Sequence, residues 1–165
     1  MSAQAPPAFE LPNVGPGPDP CSLSELAAEH DFLVVFFQRD HHCTNCRKQV
    51  QGIKDRIESY RDRDAMPVSI LPEPRERAQQ WQDSYDLPYP LLADPETDVS
   101  DEYGQSVRFG VLGEYSDFLG RMPRVVVIDT REQSEVVWTH SGRSTFDRPE
   151  QDEILGAIDD HLAES

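Results

Sequence analysis

Apolar positions along the chain fall into a few short, differently spaced groups. Phe32-Leu33-Val34-Val35-Phe36-Phe37 is an unbroken run of aromatic and β-branched residues, too short for a buried helix, and it predicts a central strand covered on both faces. From Cys46 the apolar positions step by four and three through Val50, Ile53, Ile57 and Tyr60, which is one face of a helix. Pro67 to Leu71 reads as a second buried strand. A helix from about Pro74 carries Ala78, Trp81 and Tyr85 on one side. Arg124 to Asp129 and Glu135 to His140, joined by a polar turn, predict a β-hairpin, and Gln151 to Leu162 a closing amphipathic helix. Near the start, Ala8 to Val14 predicts an edge strand interrupted by Pro12. Ser22 and Glu25 have the spacing of a capping box that opens a short helix. Trp81 and Trp138 fall at core positions. Leu91 to Asp94 is extended, with a helical turn near Val99 to Tyr103, and residues 104–122 give no clear pattern beyond a loop. The order predicts an α/β domain, residues 8–165, with a central mixed sheet and helices on both faces, preceded by a mobile tail of residues 1–7.

Between the first buried strand and the helix after it stands His41-His42-Cys43-Thr44-Asn45-Cys46-Arg47. A Cys-x-x-Cys at a strand-to-helix junction predicts a redox site. Cys43 falls at or just before the first helical turn, where free backbone N–H groups and the helix dipole favour an anion, so its thiolate is the attacking nucleophile. Cys46 lies in register with the buried stripe, is less accessible, and resolves the mixed disulfide. Thiol chemistry of this kind needs no cofactor. A different reading of the same residues is a binding protein in which His41, His42, Cys43 and Cys46 hold zinc or copper without turnover. Asp40 is either a proton acceptor for Cys46 or a solvated loop carboxylate. Cys21 reads as a packed or loop residue, and His30, His140 and His161 show no partner at useful spacing.

Composition narrows the setting. Among 165 residues, 31 acidic side chains oppose 15 basic ones, for a formal net charge of -16, and Lys48 and Lys54 are the only lysines. Acidity spread along the whole chain, with lysine this scarce, resembles the proteins of extreme halophiles. At about 1 M salt the Debye length falls to about 3 Å and the self-repulsion is screened. No basic stripe serves nucleic acid or an anionic membrane, and the longest apolar run, six residues, is far below a membrane span. Residues 1–20 lack the pattern of a cationic, apolar leader, and three cysteines make no disulfide framework, so the cytoplasm is the expected compartment.

The order of elements resembles the thioredoxin fold. Leu87-Pro88-Tyr89-Pro90-Leu91-Leu92-Ala93-Asp94-Pro95, then Tyr103-Gly104 and Arg124-Val125-Val126-Val127-Ile128-Asp129, are similar to the peroxiredoxin branch, the alkyl hydroperoxide reductase and thiol-specific antioxidant family, over about residues 8–163. The resemblance implies an antioxidant thiol oxidoreductase with a redox-active disulfide. It would be fed by a thiol electron donor, a protein or a small thiol, and act on a peroxide or a protein disulfide. It also implies that Arg124 steadies thiolate or peroxide oxygen and that Pro123 occupies the cis-proline position. Typical members place a proline seven residues and a threonine or serine three residues before the peroxidatic cysteine. Here those places hold Phe36 and Asp40 before Cys43, and Arg39 and Cys43 before Cys46. The site is closer to a divergent branch with Trp-Cys-x-x-Cys-Arg, His42 replacing the aromatic. The expected activity is disulfide reduction, with slower peroxide reduction.

Overall fold

The computed structural model describes residues 5–39, 43–107, 124–141 and 148–164. Its main sheet is built around the apolar run Phe32–Phe37 (β3), buried at all six positions. Ala65–Leu71 (β4) lies parallel beside it and Leu91–Ala93 (β5) parallel beside β4. Arg124–Asp129 (β6) runs antiparallel on the other flank, followed by Glu135–Ser141 (β7), giving the order β5-β4-β3-β6-β7. The expected mixed sheet and hairpin are therefore present.

Strand periodicity divides the core in two. Phe32, Val34, Phe36, Val125 and Val127 face one layer, filled by helices Thr44–Asp55 (α2), Ile57–Arg61 (α3), Arg75–Tyr85 (α4) and Gln151–Glu164 (α6) through Val50, Ile53, Tyr60, Trp81 and Ile154. Leu33, Val35, Phe37, Val126 and Ile128 face the other, packed by Leu23–Glu29 (α1) and Asp98–Val107 (α5). Ser22 caps α1 as its spacing predicts: its hydroxyl accepts the Glu25 N–H at 3.2 Å and donates to the Glu25 carboxylate at 3.0 Å.

Three expectations shift. The stripe from Cys46 to Tyr60 is split at Arg56, which leaves helical geometry (φ -109°, ψ 17°), so two helices carry it. The predicted Ala8–Val14 strand changes partner at Pro12, which has no N–H to give a ladder. Glu10–Leu11 (β1) pairs with Cys21–Ser22 (β2), while Asn13 bridges Leu92 on the edge of the main sheet. Trp81 is core, but Trp138 is only half-buried, because β7 is an edge strand and a register break opposite Val127 and Ile128 leaves Val137 as an extra residue. Pro123, His41, His42 and Asp40 lie outside the described residues, as do residues 1–4 of the expected mobile tail and residues 108–122 of the expected loop. Among the described residues, no helix is long and apolar enough to cross a membrane.

Candidate redox site

Strand β3 ends at Phe37, and the Gln38 N–H bonds the Ile70 carbonyl of β4 at 2.9 Å, so the chain leaves the sheet from a fixed point. Gln38 is buried, and its amide reaches the Ser69 hydroxyl, itself 3.1 Å from the Tyr89 hydroxyl. This polar thread ties the root of the loop to β4 and to the segment that leads into β5.

Cys43 is the N-cap of α2. Its backbone is extended (φ -67°, ψ 109°), and its sulfur accepts the Cys46 N–H at 3.1 Å, one of the donors a helix start leaves open. Cys43 and Cys46 are joined as a disulfide with Cα atoms 5.2 Å apart. Cys46 is completely buried in the core stripe, and Cys43 retains 7% of its surface. The expected order of accessibility holds, though Cys43 is more recessed than a helix-start position suggests. The histidines of the metal-binding reading lie outside the described residues.

The cation at the sulfurs is one the sequence did not disclose. Arg148 lies just ahead of α6 and donates through Nη2 to Cys46 Sγ at 3.0 Å and to Cys43 Sγ at 3.4 Å, while Nη1 donates to the Gln49 side-chain oxygen at 2.8 Å. Gln49 sits one turn beyond Cys46 on α2 and holds the guanidinium in place. Burial, and then the nearby charge of Arg39, pull the Arg148 pKa down to about 10, which still leaves it a cation at neutral pH. The Arg39 N–H adds a donor to Cys46 Sγ at 3.2 Å.

Arg124 stands at the start of β6, beside the end of β3. It pairs with Phe37 across β6 and β3, alternation places it on the sheet face opposite the cysteines, and its guanidinium donates to the Ser100 carbonyl of α5 at 3.5 Å. Ser100 is in turn held by the Asp94 carboxylate through its N–H (3.0 Å) and hydroxyl (3.2 Å). Cys21 is buried on that opposite face too, and burial, with Glu25 nearby, pushes its thiol up to about 11, so it is protonated at neutral pH. The histidines left unassigned by sequence do have partners: His161 Nε2 lies 2.8 Å from Asp129, and His30 Nδ1 lies 3.6 Å from Asp64. Asp129, Glu135 and His161 bring one potential ligand atom each within 4.8 Å, beside a recess of about 590 Å³ at the hairpin end. Arg131 already chelates Asp129 there, and the recess holds none of the redox residues.

The fold is shared with solved structures of known redox proteins. The peroxidoxin BcpB from Mycobacterium tuberculosis superposes with a TM-score of 0.76 at 23% identity over 96% of both chains. The reduced 2-Cys peroxiredoxin of Plasmodium vivax gives 0.77 at 14% identity over 98% of this chain and 95% of its own. A thiol:disulfide interchange protein DsbE, so described as putative, from Chlorobium tepidum gives 0.67 at 17% identity over 96% and 99%. No curated protein matches in sequence. The model of the AhpC/TSA family matches residues 2–134. With that match over most of its length, a thioredoxin-like sheet and a Cys-x-x-Cys disulfide capping α2, the chain belongs to the AhpC/TSA family of peroxiredoxin-like thiol oxidoreductases.

Proposed function

We propose that the protein cycles Cys43 and Cys46 between disulfide and dithiol to reduce a disulfide substrate and, less efficiently, a hydroperoxide. The observation that carries this reading is the disulfide itself, set on a helix N-terminus with a partly buried guanidinium touching both sulfurs. In the reductive half, a donor thiolate attacks Cys43 Sγ, the more accessible sulfur. The Sγ–Sγ bond breaks and its electron pair stays on Cys46, where Arg148 and the Arg39 N–H receive the new charge. A second donor thiolate then attacks the donor sulfur, frees Cys43 and leaves as the donor disulfide. In the oxidative half, the Cys43 thiolate attacks a substrate sulfur and expels one thiolate. Cys46 then attacks Cys43 and releases the other.

With a hydroperoxide, Cys43 attacks the terminal oxygen and the alcohol departs with a proton. Cys46 then displaces hydroxide from the sulfenic acid, and hydroxide leaves as water after protonation. This branch needs donors aimed at the leaving oxygen, and each such donor is worth about 2.7–4 kcal/mol. The positions that supply the family's proline and threonine hold Phe36 and Asp40 here. Arg148 points at the sulfurs and offers one donor. Stopped-flow oxidation of the reduced protein by hydroxyethyl disulfide and by hydrogen peroxide tests the proposal. Disulfide exchange should be the faster, and a peroxide rate near 10⁶ M⁻¹s⁻¹ or above, in the range of efficient enzymes, would reverse the assignment.

A further inference from the structure

Among the described residues, a basic helix and two further arginines flank the sulfurs. Helix α2 carries Arg47, Lys48 and Lys54 against Asp55 alone, including both lysines of a chain whose net charge is -16. Among the described helices it is the one with net positive charge: α1, α5 and α6 are acidic, and α3 and α4 balance. From the other side come Arg148, in contact with both sulfurs, and Arg39, whose charge lies close enough to be felt by Arg148. Lys48 is exposed. Arg47 is half-buried, its guanidinium 5.8 Å from the Trp81 ring centre.

We propose that this collar of Arg39, Arg47, Lys48 and Arg148 selects a small, carboxylate-bearing thiol as the electron donor to the Cys43–Cys46 disulfide, a reading that rests on the disulfide cycle proposed above. Guanidinium groups bind carboxylates in paired hydrogen bonds, and a donor so held presents its thiolate to the exposed edge of Cys43. The size follows from the range of the fields. At 0.1 M salt the Debye length is about 10 Å, so a small anion beside Cys43 senses the collar and little of the distant acidic helices. An acidic protein would press its charge against the whole acidic surface. At about 1 M salt only contact pairs survive, and the preference that remains measures direct carboxylate binding. The chemistry balances as in the reductive half above: two donor thiolates supply two electrons and leave as one donor disulfide.

The test compares meso-2,3-dimercaptosuccinate, which carries two carboxylates, with neutral dithiothreitol. The rate of opening of the Cys43–Cys46 disulfide is measured per donor thiolate and normalised to the same donors acting on hydroxyethyl disulfide, at 0.1 and 1 M KCl. For the wild type the normalised preference for the anionic donor should exceed one and shrink with salt. Lys48→Glu changes the local charge by two, at a distance on the order of 10 Å from Cys43. It should lower that preference about threefold at 0.1 M KCl, the thiolate charge common to both donors cancelling in the ratio, while leaving the circular dichroism unchanged. Lys48→Gln should give a smaller fall in the same direction. A preference below one that rises with salt would show that the overall negative charge dominates and would overturn the proposal. So would a preference that neither substitution moves, or an acidic dithiol protein that outpaces dimercaptosuccinate at 0.1 M KCl. Failure of both dithiols to open the disulfide would instead refute the redox cycle itself.

Discussion

Replacing Arg148 by methionine removes the charge at the sulfurs while keeping most of the side-chain volume. In the wild type its Nη2 lies 3.0 Å from Cys46 Sγ and 3.4 Å from Cys43 Sγ, on a guanidinium more than half withdrawn from water. With the disulfide intact those contacts are to neutral sulfur. On reduction one becomes a hydrogen bond from a cation to a thiolate, and hydrogen bonds to charged groups contribute about 1.5–3 kcal/mol. The substitution therefore weakens the reduced, thiolate form by that amount relative to the disulfide. The redox equilibrium shifts roughly ten- to 150-fold toward the disulfide, or about 30–65 mV to more negative potential.

The assay is equilibration of wild type and Arg148→Met with a series of dithiol and disulfide ratios, read by alkylation and mass. The pH profile of alkylation in Cys43→Ser, where Cys46 stands alone, provides a second readout and should move to higher pH when Arg148→Met is added. Arg148→Lys should recover part of both effects as a point charge without the fork. An unchanged potential and an unchanged alkylation profile in a folded Arg148→Met protein would refute the reasoning, because a merely structural Arg148 would alter stability and leave both alone.

Cys43→Ser should abolish turnover, whereas Cys46→Ser should accumulate a mixed disulfide with substrate, detectable by mass; the opposite pattern would exchange the two roles. Arg131 and His161 hold the Asp129 carboxyl at about 2, their combined pull outweighing the burial that would raise it. That stabilisation, roughly 2 kcal/mol, is present above the ordinary aspartate range near pH 4 and lost as pH falls through about 2, so the difference in urea unfolding between wild type and Asp129→Asn should shrink over that window. From the net charge of -16, the thermal midpoint should rise steeply between dilute buffer and molar KCl, and a flat response would remove the case for a salt-adapted chain.

What could be read from the sequence was what short-range physics dictates. The run Phe32–Phe37 has no alternative to a covered strand, Ser22 and Glu25 are three residues apart and satisfy one another, and the stripe through Cys46, Val50 and Ile53 fixes which cysteine is buried. The positions that short-range patterns do not fix depend on distant partners. Trp138 has an apolar side chain, but whether it is covered depends on β7 being an edge strand and on the register break at Val137. Arg124 fits the family position, yet the alternation of β6 turns it toward α5 and the Asp94–Ser100 corner. Arg148 meets Cys46 across 102 residues of sequence, and in a polar stretch nothing in its neighbours names that contact.

That long-range contact also ties the C-terminal helix to the redox state. A partly buried guanidinium loses hydration whichever form the sulfurs take, and in the disulfide form Gln49 meets it. Only the reduced form adds an opposite charge, so whatever Arg148 contributes to thiolate stability, the thiolate returns to the docking of Arg148 and of α6 behind it. Helix α6 is held besides by Ile154, Leu155 and Ile158 in the core and by bonds from Tyr60 to Gln151 and from Arg63 to Asp159. None of these contacts is made to the sulfurs, so opening the disulfide removes none of them. A cation delivered by a segment with its own anchorage can give up its thiolate partner on oxidation without releasing the fold, which is what a disulfide that must open and close at every turnover requires.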